Sequence, residues 1–334
     1  MNTEHKIVIG NSQNLEDIRD ESVDLVVTSP PYPMVEMWDS LFISLNPLIK
    51  EYLDENNGGR VYYLIWEELD KVYMELARVI KPGGIICINI GDATRKIGRD
   101  FQSYPNHSHT IEFFTKQGLQ VLPEIIWRKK SNKPNKFMGS GMLPPNAYIT
   151  QEHEYILIFR KQGNRQFTTK GKPNRYSSAY FFEERNKWFT DLWTDITGTP
   201  QKMNGASRKR NGAYPLEIPY RLINMFSVKG DTILDPFLGT GTTMTAAILH
   251  QRNSIGYEID SSFKEVILEN IKENLKKNNI NNYRLENHLK NQKDCKYESQ
   301  VYDFQVKTRQ ETKLKIPEVK DIKIRENNLI TRYN

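Results

Sequence analysis

Two strand-to-loop junctions, about two hundred residues apart, constrain this 334-residue chain most. Near the start, Val23-Asp24-Leu25-Val26-Val27 runs straight into Thr28-Ser29-Pro30-Pro31-Tyr32. Later, Thr232-Ile233-Leu234 runs into Asp235-Pro236-Phe237-Leu238-Gly239-Thr240-Gly241-Thr242-Thr243. The first run is continuously apolar apart from one acid, the pattern of a parallel strand buried on both faces. Two consecutive prolines cannot donate to a β-ladder, so the chain must turn there. In open α/β sheets, ligands bind outside the carboxyl ends of the strands. Both junctions put chemically capable loops at such an edge.

The rest of the chain repeats the theme. Lys6 to Ile9 reads as a short strand stopped by Gly10-Asn11, and a polar helix is expected from Leu15 to Arg19. Glu67 to Ile80 has apolar residues at helical spacing and is closed by Lys81-Pro82-Gly83-Gly84. Ile85 to Ile90, Val121 to Trp127, His153 to Arg160 and Ser254 to Ile259 read as strands. Ser108 to Gln117, Leu216 to Phe226, Thr242 to His250 and Phe263 to Lys277 read as helices. Helices alternating with apolar strands specify an α/β fold with a doubly wound, mostly parallel sheet. Gln162 to Gly212 breaks the pattern, mixing basic residues with Phe181, Trp188, Trp193 and other aromatics. That content is too aromatic for a disordered linker and reads as an inserted recognition region. The expected organisation is a catalytic half (1–161), the insert (162–212), a cofactor half (213–280) and an extension of unassigned role (281–334).

The loop from Asp235 is not a phosphate loop, because Gly241 is followed by threonines and no lysine. It also lacks the third glycine of the dinucleotide fingerprint. What remains is an acid and glycines that allow close backbone approach to a ligand. A second acid, Glu258, ends the next strand 23 residues after Asp235, where it is placed to hold ribose hydroxyls. A ligand with a sugar and no phosphate fits, such as S-adenosyl-L-methionine.

Taken in this order, the two loops resemble those of the amino-methylating DNA methyltransferases of restriction-modification systems, the N4-cytosine/N6-adenine type. Placing the catalytic loop before the cofactor loop resembles their permuted β-class. The resemblance spans roughly Ile7 to Lys277 and implies the sheet of S-adenosyl-L-methionine-dependent methyltransferases with circularly permuted motif order. It implies that Asp235, Pro236, Phe237, Gly239, Thr240, Gly241 and Thr242 wall the cofactor, with Asp235 near its amino acid part and Glu258 on its ribose. Related enzymes often carry Gly-Asp where this chain has Gly10-Asn11. Asn11 is then either a cofactor residue accepting through its amide oxygen or a plain turn asparagine.

Ser29-Pro30-Pro31-Tyr32 resembles the catalytic motif of the same family. The chemistry explains the residue types. An exocyclic amino group is a poor nucleophile, because its lone pair is delocalised into the ring. Acceptors on its hydrogens favour a more tetrahedral nitrogen. The Ser29 hydroxyl and the Pro30 carbonyl can accept, the prolines keep the loop rigid, and Tyr32 offers a face on which an extruded base can stack. This is preorganisation, and the motif contains no strong base. Serine in the first position is commoner among cytosine-N4 enzymes of the family, and Asp or Asn among adenine-N6 enzymes. Cytosine-N4 methylation is therefore favoured, with adenine-N6 methylation as the alternative. Methylation of a protein amide, and non-catalytic DNA binding on the same fold, are rivals from other classes.

Charge supports a polyanionic partner. The net charge is +6, yet Arg128 to Gly212 alone carries +11, leaving −5 on the remainder. A basic middle on an acidic scaffold is the footprint of a nucleic-acid binder. Arg128, Lys129 and Lys130, with Arg208, Lys209 and Arg210, are the candidate contacts to double-stranded DNA. Cys87 and Cys295 suggest neither a disulfide framework nor a zinc site, and no metal is expected. Without an apolar signal core or membrane span, a prokaryotic cytoplasmic protein associated with the nucleoid is expected. It would act as a monomer or homodimer, paired in function with a restriction endonuclease.

Overall fold

The computed structural model describes residues 2–129, 139–197, 214–277 and 280–334. The chain opens with β1 (Thr3–Ile9) and β2 (Val23–Thr28), followed by the helices α1 (Asp39–Leu45), α2 (Leu48–Asp54) and α3 (Gly58–Val79). Next come β3 (Ile80–Ile90), the small hairpin β4 (Ala93–Ile97) and β5 (Asp100–Tyr104), α4 (Asn106–Lys116), β6 (Gln120–Arg128) and β7 (His153–Arg160). The middle contributes α5 (Lys172–Ser177), α6 (Phe182–Trp188) and β8 (Leu192–Trp193). Then follow α7 (Glu217–Phe226), β9 (Thr232–Asp235), α8 (Thr242–Leu249), β10 (Asn253–Glu258), α9 (Phe263–Lys277) and α10 (Ile280–Lys290). The chain closes with two short strands, β11 (Tyr297–Glu298) and β12 (Gln305–Val306), and the hairpin β13 (Val319–Arg325) and β14 (Asn328–Tyr333).

Among the described residues, ten strands form the main sheet, in the order β13, β14, β1, β10, β9, β2, β3, β7, β6, β8. The block from β1 to β3 is parallel throughout. β7 runs against both β3 and β6, and β14 against both β1 and β13. The doubly wound α/β sheet read from the sequence is present, with a parallel centre and mixed flanks. Hydrophobic periodicity marks a strand but does not set its direction.

β2 is buried along its whole length, and its side chains alternate between two cores. Val26 joins Ile86, Leu157, Leu64 and Leu76 on the α3 side. Leu25 and Val27 join Cys87, Ile156, Ile223 and Ala246 on the α7 and α8 side. Helix α3 explains its own face: Val61, Leu64, Ile65, Leu69, Val72, Leu76 and Val79 recur at three- and four-residue spacing and are buried. It begins earlier than the expected Glu67, at an Asn57 cap whose side-chain oxygen accepts from Arg60 N at 3.1 Å. Inside the first half of β3, Gly83 has φ +77° and packs against Arg165, whose backbone nitrogen would lie 2.7 Å from an added Cβ.

Two expectations need correction. Leu15 to Arg19 is not a helix. Arg78 on α3 donates to the carbonyls of Leu15 and Ile18, each at 3.0 Å, and Glu75 accepts from Leu15 N at 2.8 Å. These side chains serve the backbone groups a helix would have used. Part of the expected recognition insert is scaffold, although Tyr176, Phe182 and Phe189 stay exposed. Phe181, Trp188 and Trp193 are buried, and β8 extends the sheet by pairing Trp193 with Trp127. The Trp193 indole donates to Trp188 O at 3.1 Å, and the Arg221 guanidinium lies 5.0 Å over its ring. Phe181 stacks on His288 at 4.1 Å, and Glu184 pairs with Arg284. The described part of the insert thus ties the sheet edge to the 281–334 extension, whose hairpin caps β1. Among the described residues, no helix is long and apolar enough to cross a membrane.

This packing predicts a large effect for one exposed-looking segment. Trp193→Ala should destabilise the protein by roughly 3–5 kcal/mol, as burial of a large aromatic implies, measured by urea denaturation. A true surface recognition loop would tolerate the change.

Candidate functional site

β2 and β9 lie side by side, with Leu25 opposite Ile233 and Val26 opposite Leu234. Their carboxyl ends therefore deliver Thr28 and Asp235 to one place. Thr28 Oγ1 donates to Asp235 Oδ1 at 2.6 Å, and Thr243 Oγ1, from the first turn of α8, donates to Oδ2 at 2.6 Å. Phe237 N adds a third bond at 3.1 Å. The Thr243 hydrogen is used on Asp235, so the 2.5 Å contact with the Tyr214 hydroxyl has Tyr214 as donor. Burial pushes the Asp235 carboxyl up from its ordinary 3.8 to about 6, against the opposing pull of these donors.

Around this junction lies a cavity of about 340 Å³, a size that small-molecule sites take. Its wall brings together Asn11, Ser29, Pro30, Pro31 and Tyr32 from the first part of the chain. From the second part come Asp235, Pro236, Phe237, Gly239, Thr240, Thr242 and Glu258. Of the residues expected at the cofactor, Gly241 alone is absent from the wall. It has φ +84° and starts α8, and an added Cβ would sit 3.0 Å from Ile267 Cγ2. Its place is fixed by helix packing. Asp235 is in the wall, but its carboxylate is taken up by the bonds that hold the two loops together.

Glu258 differs. Oε2 accepts from Gly239 N and Oε1 from Asp260 N, each at 2.9 Å. Each oxygen keeps a second lone pair for a ligand, which suits a pair of neighbouring hydroxyls. Burial raises its carboxyl above the usual range. Asn11 has both features considered for it. Its side-chain oxygen accepts from Gln13 N at 3.0 Å, a turn bond, while the residue also lines the cavity. Gln13 then donates to buried Glu68 at 2.8 Å, a wall residue that sequence reasoning passed over.

A second cluster reaches the same cavity through Ser29, Tyr32, Lys129 and Glu154. Ser29 Oγ donates to the Tyr32 hydroxyl at 3.2 Å, and Tyr32 donates to Glu154 Oε2 at 2.9 Å. Asn89 Nδ2 donates to both, at 2.7 Å each. Lys129 pairs with the other Glu154 oxygen. Neither Asn89 nor Glu154 was assigned a role from sequence. The available signal was an acid at the start of an otherwise apolar strand. Because β7 is antiparallel, its first residues lie beside the last residues of β3, with Tyr155 opposite Ile90. An acid that opens the strand thereby reaches the ligand edge.

The expected DNA contacts divide. Arg128 is exposed and pairs loosely with Glu152 at 3.4 Å. Lys129 turns to Glu154 and lies 4.8 Å over the Trp127 ring, so it belongs to the site wall. Lys130, Arg208, Lys209 and Arg210 lie outside the described residues. Part of the basic middle is neutralised internally, through Arg165 with Asp231 and Lys187 with Asp195. Among the described residues, no group of three or more His, Cys, Asp or Glu could hold a metal.

The N6/N4 DNA methylase family matches residues 23–269 of the chain. The type II methyltransferase M.MthZI of Methanothermobacter thermautotrophicus is 59% identical, over 95% of this chain and 91% of its own length. The type II methyltransferase M.MjaI of Methanocaldococcus jannaschii is 54% identical, over 80% of this chain and 91% of its own. A candidate DNA modification methylase of Thermus thermophilus, crystallised with S-adenosyl-L-methionine, is similar in structure. It has a TM-score of 0.63 and 30% identity, and the match covers 80% of this chain and 93% of that one.

The raised Asp235 carboxyl sets a pH dependence in the ligand-free protein. A carboxyl with a raised folded value stabilises fully below its unfolded value, and that contribution is lost as pH rises through the folded value. Wild type should therefore lose on the order of 2–3 kcal/mol relative to Asp235→Asn between about pH 4 and pH 6. Paired urea titrations across that window would measure it, and parallel curves would exclude the shift.

Proposed function

Because this chain belongs to the N6/N4 DNA methylase family, we propose that it methylates the exocyclic N4 amino group of cytosine at a specific site in duplex DNA. The methyl donor is S-adenosyl-L-methionine, and the modification protects the site from a partner restriction endonuclease. The supporting observation is the single cavity walled by both loops, which has Glu258 and Ser29 in the same wall. The motif order supports membership of the permuted β-class.

The residues fit the cofactor. Glu258 has acceptor capacity for ribose hydroxyls, Phe237 and Ile259 supply apolar wall, and Gly239 and Thr240 bring backbone close to the amino acid part. Asp235 acts through position, by holding the two loops in register. When bound, the cofactor supplies an electrophilic methyl group on a positively charged sulfur. Every other task falls to the chain. The Ser29 hydroxyl and Pro30 carbonyl accept from the amino hydrogens of the base, and Tyr32 carries its ring face. A second cavity of about 320 Å³ shares Tyr32, Lys129 and Glu154 with the first, and the extruded base enters where the two meet. Orientation then supplies much of the rate. Arg128, Lys130 and Arg208 to Arg210 contact phosphates, which position the duplex without reading its sequence. Sequence reading falls to the 162–212 segment, in which Tyr176, Phe182 and Phe189 stay exposed while Phe181, Trp188 and Trp193 are committed to the core.

The choice of base rests on Ser29. Nucleoside mass spectrometry of DNA treated with the protein and cofactor should show N4-methylcytosine. N6-methyladenine alone would move the assignment to adenine with the same machinery. Glu258→Gln should weaken cofactor binding about 10- to 100-fold in isothermal titration, because a charged acceptor is lost. Unchanged affinity would remove Glu258 from the cofactor site.

A further inference from the structure

We infer that Glu154 is the terminal proton acceptor of the methylation site, reached through Tyr32 and Ser29; this rests on the function proposed above. The hydrogen bonds fix the direction of the chain. Tyr32 Oη accepts from Asn89 Nδ2 at 2.7 Å and from Ser29 Oγ at 3.2 Å. With both lone pairs occupied, it can only donate, and the acceptor is Glu154 Oε2 at 2.9 Å. Asn89 spends its second hydrogen on the same carboxylate oxygen at 2.7 Å, which clamps the phenol and the acid together. Ser29 has one hydrogen and gives it to Tyr32, so it presents lone pairs to the cavity. Asn89 and Glu154 thus make Ser29 an acceptor.

An aromatic amine acquires one proton in excess as the methyl group arrives, so that proton leaves as the new N–C bond forms. That proton passes from nitrogen to Ser29 Oγ as the Ser29 proton moves to Tyr32 Oη and the Tyr32 proton to Glu154 Oε2. One N–H bond breaks and one O–H bond forms on the carboxylate. Both intervening hydroxyls are restored, and the amine and Glu154 end neutral. Burial, together with the Glu154 charge, holds the Tyr32 phenol well above its ordinary range. A free tyrosinate is therefore not a stop on the path, and the transfers are concerted. Lys129 balances the charge that Glu154 brings into the wall. The second cavity, lined by Tyr32, Asp92, Lys129, Gln151 and Glu154 among others, gives the carboxyl a route to solvent.

The test is single-turnover methyl transfer by the full-length protein, with cofactor and duplex DNA, in H₂O and in D₂O. Wild type should transfer methyl to DNA with a solvent isotope effect. Glu154→Gln and Tyr32→Phe should each slow the step on the order of a hundredfold, the usual scale for a lost proton acceptor. Both should abolish the isotope effect, leave cofactor and DNA affinities unchanged, and combine without further loss. Should Glu154→Gln lower the Tm of the ligand-free protein, Tyr32→Phe, which keeps the ring, decides. A wild-type rate indifferent to D₂O, an unslowed variant, or a slowed variant that keeps the isotope effect overturns the relay alone. Absence of methyl transfer by wild type overturns the proposed function with it.

Discussion

The carboxylate of Asp235, only 4% exposed and bonded to Thr28 and Thr243, is the interaction on which the ligand edge depends. Thr28 is the last residue of β2 and immediately precedes the serine–proline loop. Thr243 lies in the first turn of α8, the helix that follows the glycine turn. One side chain therefore joins two segments that lie far apart in sequence. Burying it is unfavourable without donors, and three are supplied. With those donors in place, any displacement of one loop would strand a buried charge, which keeps the two loops in register.

The rest of the site follows from that anchor. With β2 locked to β9, the loop after Thr28 points Ser29 and Tyr32 over the carboxyl ends of the sheet. β10, paired to β9 in parallel, brings Glu258 to the same edge. On the opposite flank the strand direction reverses, and β7 contributes Glu154 from its beginning. The cavity wall thus includes two acids with different surroundings, Glu258 and Glu154. Glu258 is held by backbone N–H groups and keeps lone pairs open. Glu154 is engaged by Tyr32, Asn89 and Lys129. Two carboxylates in one cavity can serve separate tasks because their neighbours differ.

Much of the fold is legible in the sequence because burial leaves a periodic trace. The apolar runs of β2, β3, β7 and β10, and the three-and-four spacing of α3 and α7, identify their elements directly. The short helices α1 and α2 leave no such trace, since seven residues give too few repeats to register. Leu15 to Arg19 misleads because distant side chains, Arg78 and Glu75, satisfy its backbone. The aromatics around Trp188 and Trp193 resemble a recognition surface because composition does not reveal which side of a ring faces solvent. Their partners, Arg221, Trp127 and the 281–334 extension, are remote in sequence.

By itself, the sequence determined the two loops, their order, the acid after the second one, and the basic middle, because each is a local pattern of residue types. Only the tertiary structure decided that Asp235 is a buried tether, that Gly241 serves helix packing, and that Lys129 pairs with Glu154. It alone brought Glu154 and Asn89 to Tyr32. The physical reason is the same in each case. Hydrogen-bond partners and strand direction are set by contacts between segments dozens to hundreds of residues apart, and no local spacing encodes which distant donor will meet which acceptor.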